Sequence, residues 1–370
     1  MRYLLVFCVF AVSSLQAKEQ TLQLVHVFFR HGSRTPELKH VYPTDPYDAQ
    51  TFWPMGYGAL TNKGKQMSFK LGEILRQRYD SFLGDLYVPE MVEAVSTDFD
   101  RTKASLLLVL AALFPPAPAQ RWSDSLPWMP IPIHFDKDRY DYTLRRPTHY
   151  CPAYVKELEE VLLSDDIQRQ TKQYRDLFKY IEEHTKIKID NTGDAFNVYQ
   201  TLNAEANMNL TLPEWSKTVY PEPLQTLAGL QCNFENYNAI LKTLNGGRML
   251  GVILKHMIDK SNRALSPAER KIYLYSGHEN NVVNILATLN LFKPHVPKYS
   301  AAVIVELHYL NEKMGYGVKV LYLRDVDSEP EEQKLEGCDA ICPLSSFIRI
   351  VEPHIPVNYT KECHALVNLD

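Results

Sequence analysis

The sequence of 370 residues is poor in cysteine and glycine and contains no long hydrophobic run. Six cysteines are too few for a small fold that depends mainly on disulfide bonds. Fifteen glycines, without any repeat, exclude a collagen-like chain. Lysine and arginine number 40 against 44 aspartates and glutamates, so no excess of positive charge favours nucleic acid or an anionic membrane. The composition therefore indicates a globular, slightly acidic protein, and its function has to be inferred from local motifs.

The N-terminal segment has the pattern of a secretory signal peptide. Residues 3–12 (YLLVFCVFAV) form an apolar run after a positive start, and small residues follow up to Ala17. Because about 20 apolar residues are needed to cross a bilayer, this run predicts a signal peptide over 1–17 and not a membrane anchor. We expect a secreted protein, extracellular rather than lysosomal. Sequons at Asn209 and Asn358 agree with export and predict glycosylation.

The hydrophobic pattern predicts an α/β fold with a mainly parallel sheet flanked by helices and an inserted helical cap. Runs of β-branched and aromatic residues predict strands, and apolar residues at helical spacing predict helices. The predicted strands are 21–29, 91–95, 271–275, 302–307 and 318–323. The predicted helices between them are 61–79, 100–113, 247–257 and 279–289. We expect a catalytic α/β domain of residues 18–145 and 245–370, with the cap at 146–244.

A basic motif, RHGSRTP, follows the first predicted strand directly. It places Arg30 and Arg34 on either side of His31 in one turn, where Gly32 allows a close approach of the backbone to a ligand. Guanidinium groups this close repel one another unless an anion lies between them, and their planar donors match phosphate oxygens. Since ligands bind at the carboxyl ends of strands in α/β folds, the motif predicts a phosphate site. When the motif is taken by itself, the alternative interpretation is an exposed basic turn.

Two further segments also stand at predicted strand ends. One, STDFDRT, carries Arg101 at the start of a predicted helix, where pairing with Asp98 or Asp100 is the alternative interpretation. The other, SGHE, places His278 and Glu279 at a helix N-terminus, which favours anions; a capping pair without a chemical role is the alternative.

Together these segments resemble the histidine acid phosphatases, a branch of the phosphoglycerate-mutase-like superfamily, from about residue 20 to the C-terminus. The resemblance implies that His31 is the nucleophile that forms a phosphohistidine, without a metal or cofactor. It also implies phosphate binding by Arg30, Arg34, Arg101 and His278. The family has His-Asp where this chain has His278-Glu279, so Glu279 is expected to be the proton donor but departs from the pattern. The expected substrate is a small phosphomonoester.

The same resemblance suggests how the cysteines pair. Removal of residues 1–17 would take Cys8 away and leave five cysteines, an odd number. The segment from Cys338 to Cys342 resembles a short disulfide loop of animal members, and Cys151 and Cys363 resemble the partners of a long-range bridge. Cys232 matches half of a third bridge whose partner region has no cysteine here, so we expect it to be unpaired.

Several alternatives stay open at this point. The phrases SGHEN, HVPKYS and CPL resemble secreted insect members, including venom acid phosphatases. A phytase-like or other specialised phosphatase has the same core, and a secreted binding glycoprotein that has lost catalysis is a rival from another class. A zinc site of the HExxH type is excluded because Val282 occupies the second histidine position. We expect that the protein binds neither nucleic acid nor a membrane. A homodimer is compatible with the sequence.

Overall fold

A computed structural model describes residues 21–369 of the chain. The predicted signal peptide, 1–17, with its cleavage after Ala17, lies outside these residues. None of the helices in the described part has the length and apolarity needed to span a membrane.

The described residues contain a single sheet of seven strands, in the order β2-β3-β1-β4-β5-β6, with β7 also paired to β5. The strands are β1 (Leu22–Arg30), β2 (Val92–Ser96), β3 (Ile272–Gly277), β4 (Ala302–Asn311), β5 (Gly315–Leu323), β6 (Glu331–Gln333) and β7 (Cys342–Pro343).

The α/β prediction is confirmed, but the sheet is mixed and not mainly parallel. Only β2, β3 and β1 run parallel to one another. The second half of the sheet, beginning with β4 beside β1, is antiparallel. For the β4–β5 pair the physical reason is the connection: the two strands form a hairpin, which reverses the chain direction and needs only a short turn. The parallel pairs, by contrast, are joined through helices.

Helices cover both faces of this sheet. They are α1 (Asn62–Leu83), α2 (Asp100–Leu113), α3 (Pro152–Leu163), α4 (Asp165–Lys172), α5 (Arg175–Thr185), α6 (Thr192–Asn207), α7 (Leu224–Phe234), α8 (Ala239–Lys242), α9 (Arg248–Ser261), α10 (Glu279–Thr288), α11 (Leu344–Val351) and α12 (Tyr359–Glu362).

Strand β1 is buried on both faces, which explains its continuous apolar sequence. Leu24 and Phe28 pack with α9 and α10 on one face. Val25, Val27 and Phe29 point the opposite way and pack with α1 and α2. The central strand therefore belongs to two separate cores.

Residues 146–244 form helices α3 to α8 and no strand in the described chain. Two hydrophobic clusters hold these helices, and one of them includes Val283 of α10. At the end of this region, α8 continues through a π-helical turn, Thr243–Gly247, directly into α9. The expected boundary at 244/245 therefore falls within a continuous helical segment, and the division into two domains stays a prediction.

Both predicted disulfide bonds are confirmed. Cys151 bonds to Cys363, 212 residues away, and Cys338 bonds to Cys342. Cys232 is a buried free thiol, as expected. Asn209 and Asn358 are exposed, and their glycosylation stays a prediction.

The turn after β1 is seated on the N-terminus of α1. A Cβ atom on Gly32 would lie 2.1 Å from the carbonyl oxygen of Gly64, and one on Gly64 would lie 2.0 Å from that of Ser33. Thr61, which caps α1, donates its backbone N–H to the same Ser33 oxygen at 2.9 Å. Gly32 is thus required for backbone packing against α1, whereas the sequence predicted an approach to a ligand.

We predict that Gly64→Ala lowers the free energy of unfolding by about 2 kcal/mol or more, because the new Cβ overlaps backbone atoms that cannot rotate away. Gly251→Ala is the matched control: its Cβ would lie 3.2 Å from the Cγ2 methyl of Ile355 and would meet no backbone atom that closely. That helical substitution should change the unfolding free energy by less than about 1 kcal/mol. Urea unfolding of the three proteins measures both effects. Equal stability of Gly64→Ala and wild type would contradict the packing argument.

Candidate active site

The parallel strands bring the three sequence motifs to one edge of the sheet. Ser96 and Phe29 both lie beside Ser276 in register, so β2, β3 and β1 end together. A cleft of about 220 Å³ opens there, between the sheet and the helices of 146–244. It is lined by five of the six predicted phosphate-binding and catalytic residues: His31, Arg34, Arg101, His278 and Glu279.

His31 is buried at the base of the cleft, and its contacts define its tautomer. Nδ1 lies 2.8 Å from the carbonyl oxygen of Gly32, which can only accept a hydrogen bond. Nε2 lies 3.1 Å from Nε of Arg101, which can only donate. The proton is therefore on Nδ1, and the lone pair of Nε2 accepts the hydrogen bond from Arg101 at the edge of the cleft.

The electrostatic surroundings keep this ring neutral. Burial holds the pKa of His31 well below its ordinary value, and the charge of Arg101 lowers it further, as do His278, Arg30 and Arg34. Because the pKa is lowered, the ring stays unprotonated even in acidic solution. A neutral imidazole whose Nε2 carries no proton can act as a nucleophile once its lone pair is released from Arg101.

Arg34 and Arg101 are bridged by a carboxylate that the sequence analysis did not single out. Glu37 Oε1 accepts from Nη2 of Arg101 at 2.9 Å and lies 3.6 Å from Nη2 of Arg34. Burial would raise the pKa of Glu37, but the two guanidinium groups outweigh it and lower the pKa to about 2. Glu37 thus stays ionised and holds the guanidinium of Arg101 beside His31.

Arg30 occupies a different position from the other predicted phosphate ligands. Its Nη1 donates to the carbonyl oxygen of Pro297 at 2.6 Å, its Nη2 donates to Gln200 at 3.2 Å, and its guanidinium lies over the Tyr299 ring. It lines a neighbouring cavity and approaches the cleft through Nε, which lies 3.3 Å from Glu279 Oε2. Arg30 is therefore at the back of the site.

At this site, two buried guanidinium nitrogens make no hydrogen bond within residues 21–369: Nε of Arg34 and Nε of Arg30, which has only the ion-pair contact with Glu279. Buried donors in folded proteins are nearly always satisfied, so two such donors at one site indicate a ligand with acceptor oxygens. These guanidinium donors need a compact anion as their acceptor, and a phosphoryl group is such an anion.

His278 and Glu279 begin α10 at the other side of His31. The His278 ring lies edge-on to that of His31, with centroids 5.5 Å apart, and its Nε2 lies 3.2 Å from Thr97 Oγ1. Burial and the charge of Arg101 lower the pKa of His278 to about 3, although Glu279 and Glu37 oppose this. His278 is thus a neutral hydrogen-bonding group.

Glu279 is ionised, which differs from the protonated carboxyl expected of a proton donor. Burial would raise the pKa of Glu279, but the neighbouring charges, Arg30 first among them, outweigh it and lower the pKa to about 2. A phosphoryl group would share the charge of the arginines and bring negative charge of its own, and both effects raise this pKa. Glu279 can therefore acquire a proton only together with an anionic ligand.

Two residues important to the geometry were missed in the sequence: Glu37 and Gln200. Glu37 lies one residue beyond the basic motif, so a search for counter-charges near the arginines would find it. Gln200, from α6, donates to Glu279 at 3.0 Å, and nothing in the sequence of its helix marks it as a site residue.

Further cleft residues include Lys39, His40, Arg145, Arg146 and His149. Within residues 21–369, no group of three or more His, Cys, Asp or Glu side chains is placed to hold a metal ion.

Comparison with protein families gives a match to the histidine phosphatase superfamily (branch 2) over residues 21–323. Among curated relatives, the venom acid phosphatase Acph-1 of Apis mellifera is 40% identical over 344 residues, which cover 92% of this chain and 87% of that protein. Human prostatic acid phosphatase is 34% identical, with coverage of 95% and 89%. Lysosomal acid phosphatase of Rattus norvegicus is 32% identical, with coverage of 98% and 84%.

Solved structures share the fold at low identity. A phytase from Klebsiella sp. ASR1 superposes with a TM-score of 0.70 at 15% identity and covers 95% of this chain and 99% of its own. The phytase from Citrobacter braakii gives 0.69 at 17% identity, with coverage of 94% and 100%. These likenesses concern the architecture alone.

The ion pairs of Glu37 predict a pH-dependent contribution to stability. Because its pKa in the folded state is about 2, below the ordinary 4.5, the contribution is full above pH 4.5 and is lost as the pH falls towards 2. Glu37→Gln should lower the unfolding free energy by about 1–3 kcal/mol near neutral pH, and the difference from wild type should shrink between about pH 5 and pH 3.

Urea unfolding at several pH values measures this difference. Glu73→Gln, on the half-exposed surface of α1, is the matched control and should differ little from wild type at any pH. A difference between Glu37→Gln and wild type that is constant with pH would contradict the ionised bridge.

Proposed function

Because the chain belongs to branch 2 of the histidine phosphatase superfamily and is an acid phosphatase, we propose that it hydrolyses phosphate monoesters through a phosphohistidine formed on His31. The observation that carries the proposal is the unprotonated Nε2 of His31, held at a site where the buried Nε groups of Arg30 and Arg34 make no hydrogen bond.

In the first step, Arg101 turns its donor from Nε2 of His31 to a phosphoryl oxygen, and the freed lone pair of Nε2 attacks the phosphorus as the bond to the ester oxygen breaks. The leaving oxygen takes a proton from Glu279 and departs as an alcohol. Arg34, Arg101 and His278 hold the phosphoryl oxygens from the cleft, and Arg30 holds them from behind through Nε. Their positive charge and donors stabilise the transition state without reorganisation of solvent.

In the second step, a water molecule attacks the phosphohistidine. The Glu279 carboxylate takes one proton from the water, the P–N bond breaks, and Nε2 recovers its lone pair. Glu279 passes this proton to the phosphate, which leaves as the monoanion, and the carboxyl is again ionised for the next substrate. One carboxyl thus acts as general acid and then as general base.

The productive complex needs one proton, shared between Glu279 and the substrate. With a pKa near 2, Glu279 is ionised before substrate binds, so the phosphate monoanion brings this proton with it. The second pKa of a phosphate ester is about 6, so the monoanion dominates only in acidic solution. His31 stays neutral there because its pKa is lowered. Activity at acidic pH follows from both conditions.

We propose secretion, because the venom relative and the two disulfide bonds suit an extracellular protein. The lysosomal relative of Rattus norvegicus is 32% identical, against 40% for the venom relative. A phytase-like specialisation is the second candidate, supported only by the shared fold and the basic residues at the rim. A homodimer stays a prediction.

We predict that His31→Ala abolishes hydrolysis of a chromogenic phosphomonoester in acidic buffer containing EDTA, whereas wild type remains active there. The loss should be at least about 10³-fold, since the nucleophile is removed. His134→Ala, with a side chain that is 67% exposed outside the cleft, should retain wild-type activity. Activity of His31→Ala at the wild-type level would disprove the assignment.

The role of Glu279 as proton donor leads to a separate prediction. Glu279→Gln should lower kcat/KM for an alkyl phosphate by about 10²-fold or more, because the poor leaving group needs the proton. For a nitrophenyl phosphate, whose leaving group departs as a stable anion, the loss should be less than about tenfold. In wild type, kcat/KM should fall above about pH 6 as the substrate monoanion is lost. Equal losses on both esters would contradict the role of Glu279.

A further inference from the structure

Gln200 connects the helices of 146–244 to the two charged groups at the back of the cleft. It belongs to α6, and only 3% of its surface is exposed. Its Nε2 donates to Glu279 Oε1 at 3.0 Å, and its Oε1 accepts from Arg30 Nη2 at 3.2 Å. The amide therefore bridges an anion and a cation that also contact each other, through Oε2 and Nε at 3.3 Å.

The chemistry of its partners allows the amide only one orientation. Arg30 has donors and no acceptor, so it must face the amide oxygen. The ionised Glu279 has acceptors and no donor, so it must face the amide nitrogen. Rotation of the amide by half a turn would break both bonds. The two oxygens of Glu279 are consequently distinguished: Oε1 is occupied by Gln200, and Oε2 is on the side of Arg30.

The backbone that carries Gln200 is fixed in place. Its neighbours Tyr199, Thr201 and Leu202 are buried. Thr201 Oγ1 also donates at 3.0 Å to the carbonyl oxygen of His40, in the segment that follows the RHGSRTP motif. Helix α6 is thus tied to that segment one residue away from Gln200, and the amide reaches the cleft from a rigid support.

We propose that Gln200 is a positioning residue for proton transfer: it holds Oε1 of Glu279 so that Oε2 carries the proton and delivers it to the leaving oxygen. This inference rests on the proposed function. When the substrate brings its proton, the proton binds Oε2, since Oε1 already accepts from the amide. It then passes from Oε2 to the ester oxygen as the P–O bond breaks, and the carboxylate returns to its contact with Arg30.

The length of the Glu279 side chain explains why a second support is needed. A glutamate has one more rotatable bond than the aspartate that the family pattern has at this position, so its carboxyl is less well fixed by the backbone. Arg30 alone would attract either oxygen equally. The bond from Gln200 removes this freedom, and a donor held in one geometry transfers its proton more effectively.

Gln200→Leu tests the proposal, because it keeps the approximate volume and removes both hydrogen bonds. We expect kcat/KM for an alkyl phosphate to fall roughly tenfold more than kcat/KM for a nitrophenyl phosphate. In a Glu279→Gln background, the same substitution should add no further discrimination between the two esters, because no proton remains to be positioned. Gln168→Leu, at an exposed position of α4, is the matched control and should behave as wild type.

Gln200→Glu provides a second measurement if Gln200→Leu fails to fold. It keeps an acceptor for Arg30 but replaces the donor to Glu279 with a second carboxyl. Two adjacent carboxyls share a proton, which raises the pKa of one of them. We therefore expect the alkaline limb of the kcat profile, which reports the enzyme–substrate complex, to move to higher pH. A purely structural role of Gln200 would lower activity without moving this limb.

The outcomes separate the inference from the function on which it rests. If wild type fails to hydrolyse either ester, or if His31→Ala remains active, the proposed function is wrong. If those tests succeed but Gln200→Leu lowers activity on both esters equally, or the Gln200→Glu profile keeps its alkaline limb, the positioning role is wrong.

Discussion

The repulsion between three buried guanidinium groups is the constraint on which the site depends. Arg30, Arg34 and Arg101 lie around one histidine, where little solvent is present to screen them. Two carboxylates make this arrangement stable, and each is placed to satisfy particular arginines. Glu37 bridges Arg34 and Arg101, and Glu279 pairs with Arg30. The same charges keep His31 neutral, so the balance that stabilises the fold also prepares the nucleophile.

Much of the fold could be predicted because it follows from local sequence. The alternation of strands and helices, the ends of β1, β2 and β3, and the run of helices in 146–244 all appear in the hydrophobic pattern. The direction of the strands in the second half of the sheet does not appear in that pattern. The segments of β4 and β5 are apolar enough to suit either direction, and only the short hairpin between them makes the pair antiparallel.

The residues of the site, too, could be predicted only in part. His31, Arg34 and Arg101 stand in or beside recognisable motifs at strand ends, so topology alone brings them together. Gln200 reaches the cleft from a helix 170 residues along the chain from Arg30, and only the tertiary packing reveals it. The ionised state of Glu279 was also beyond sequence reasoning, because it depends on the distance to Arg30 and on burial.

The two ends of the region 146–244 have a mechanical consequence. At its start, Cys151 is bonded to Cys363 near the C-terminus, and at its end α8 runs through the π-helical turn into α9, which packs against the sheet. A covalent bond at one end and a continuous helix at the other therefore restrain the helices of 146–244 where they join the sheet. The same two attachments set the spacing between these helices and the sheet, and with it the width of the cleft.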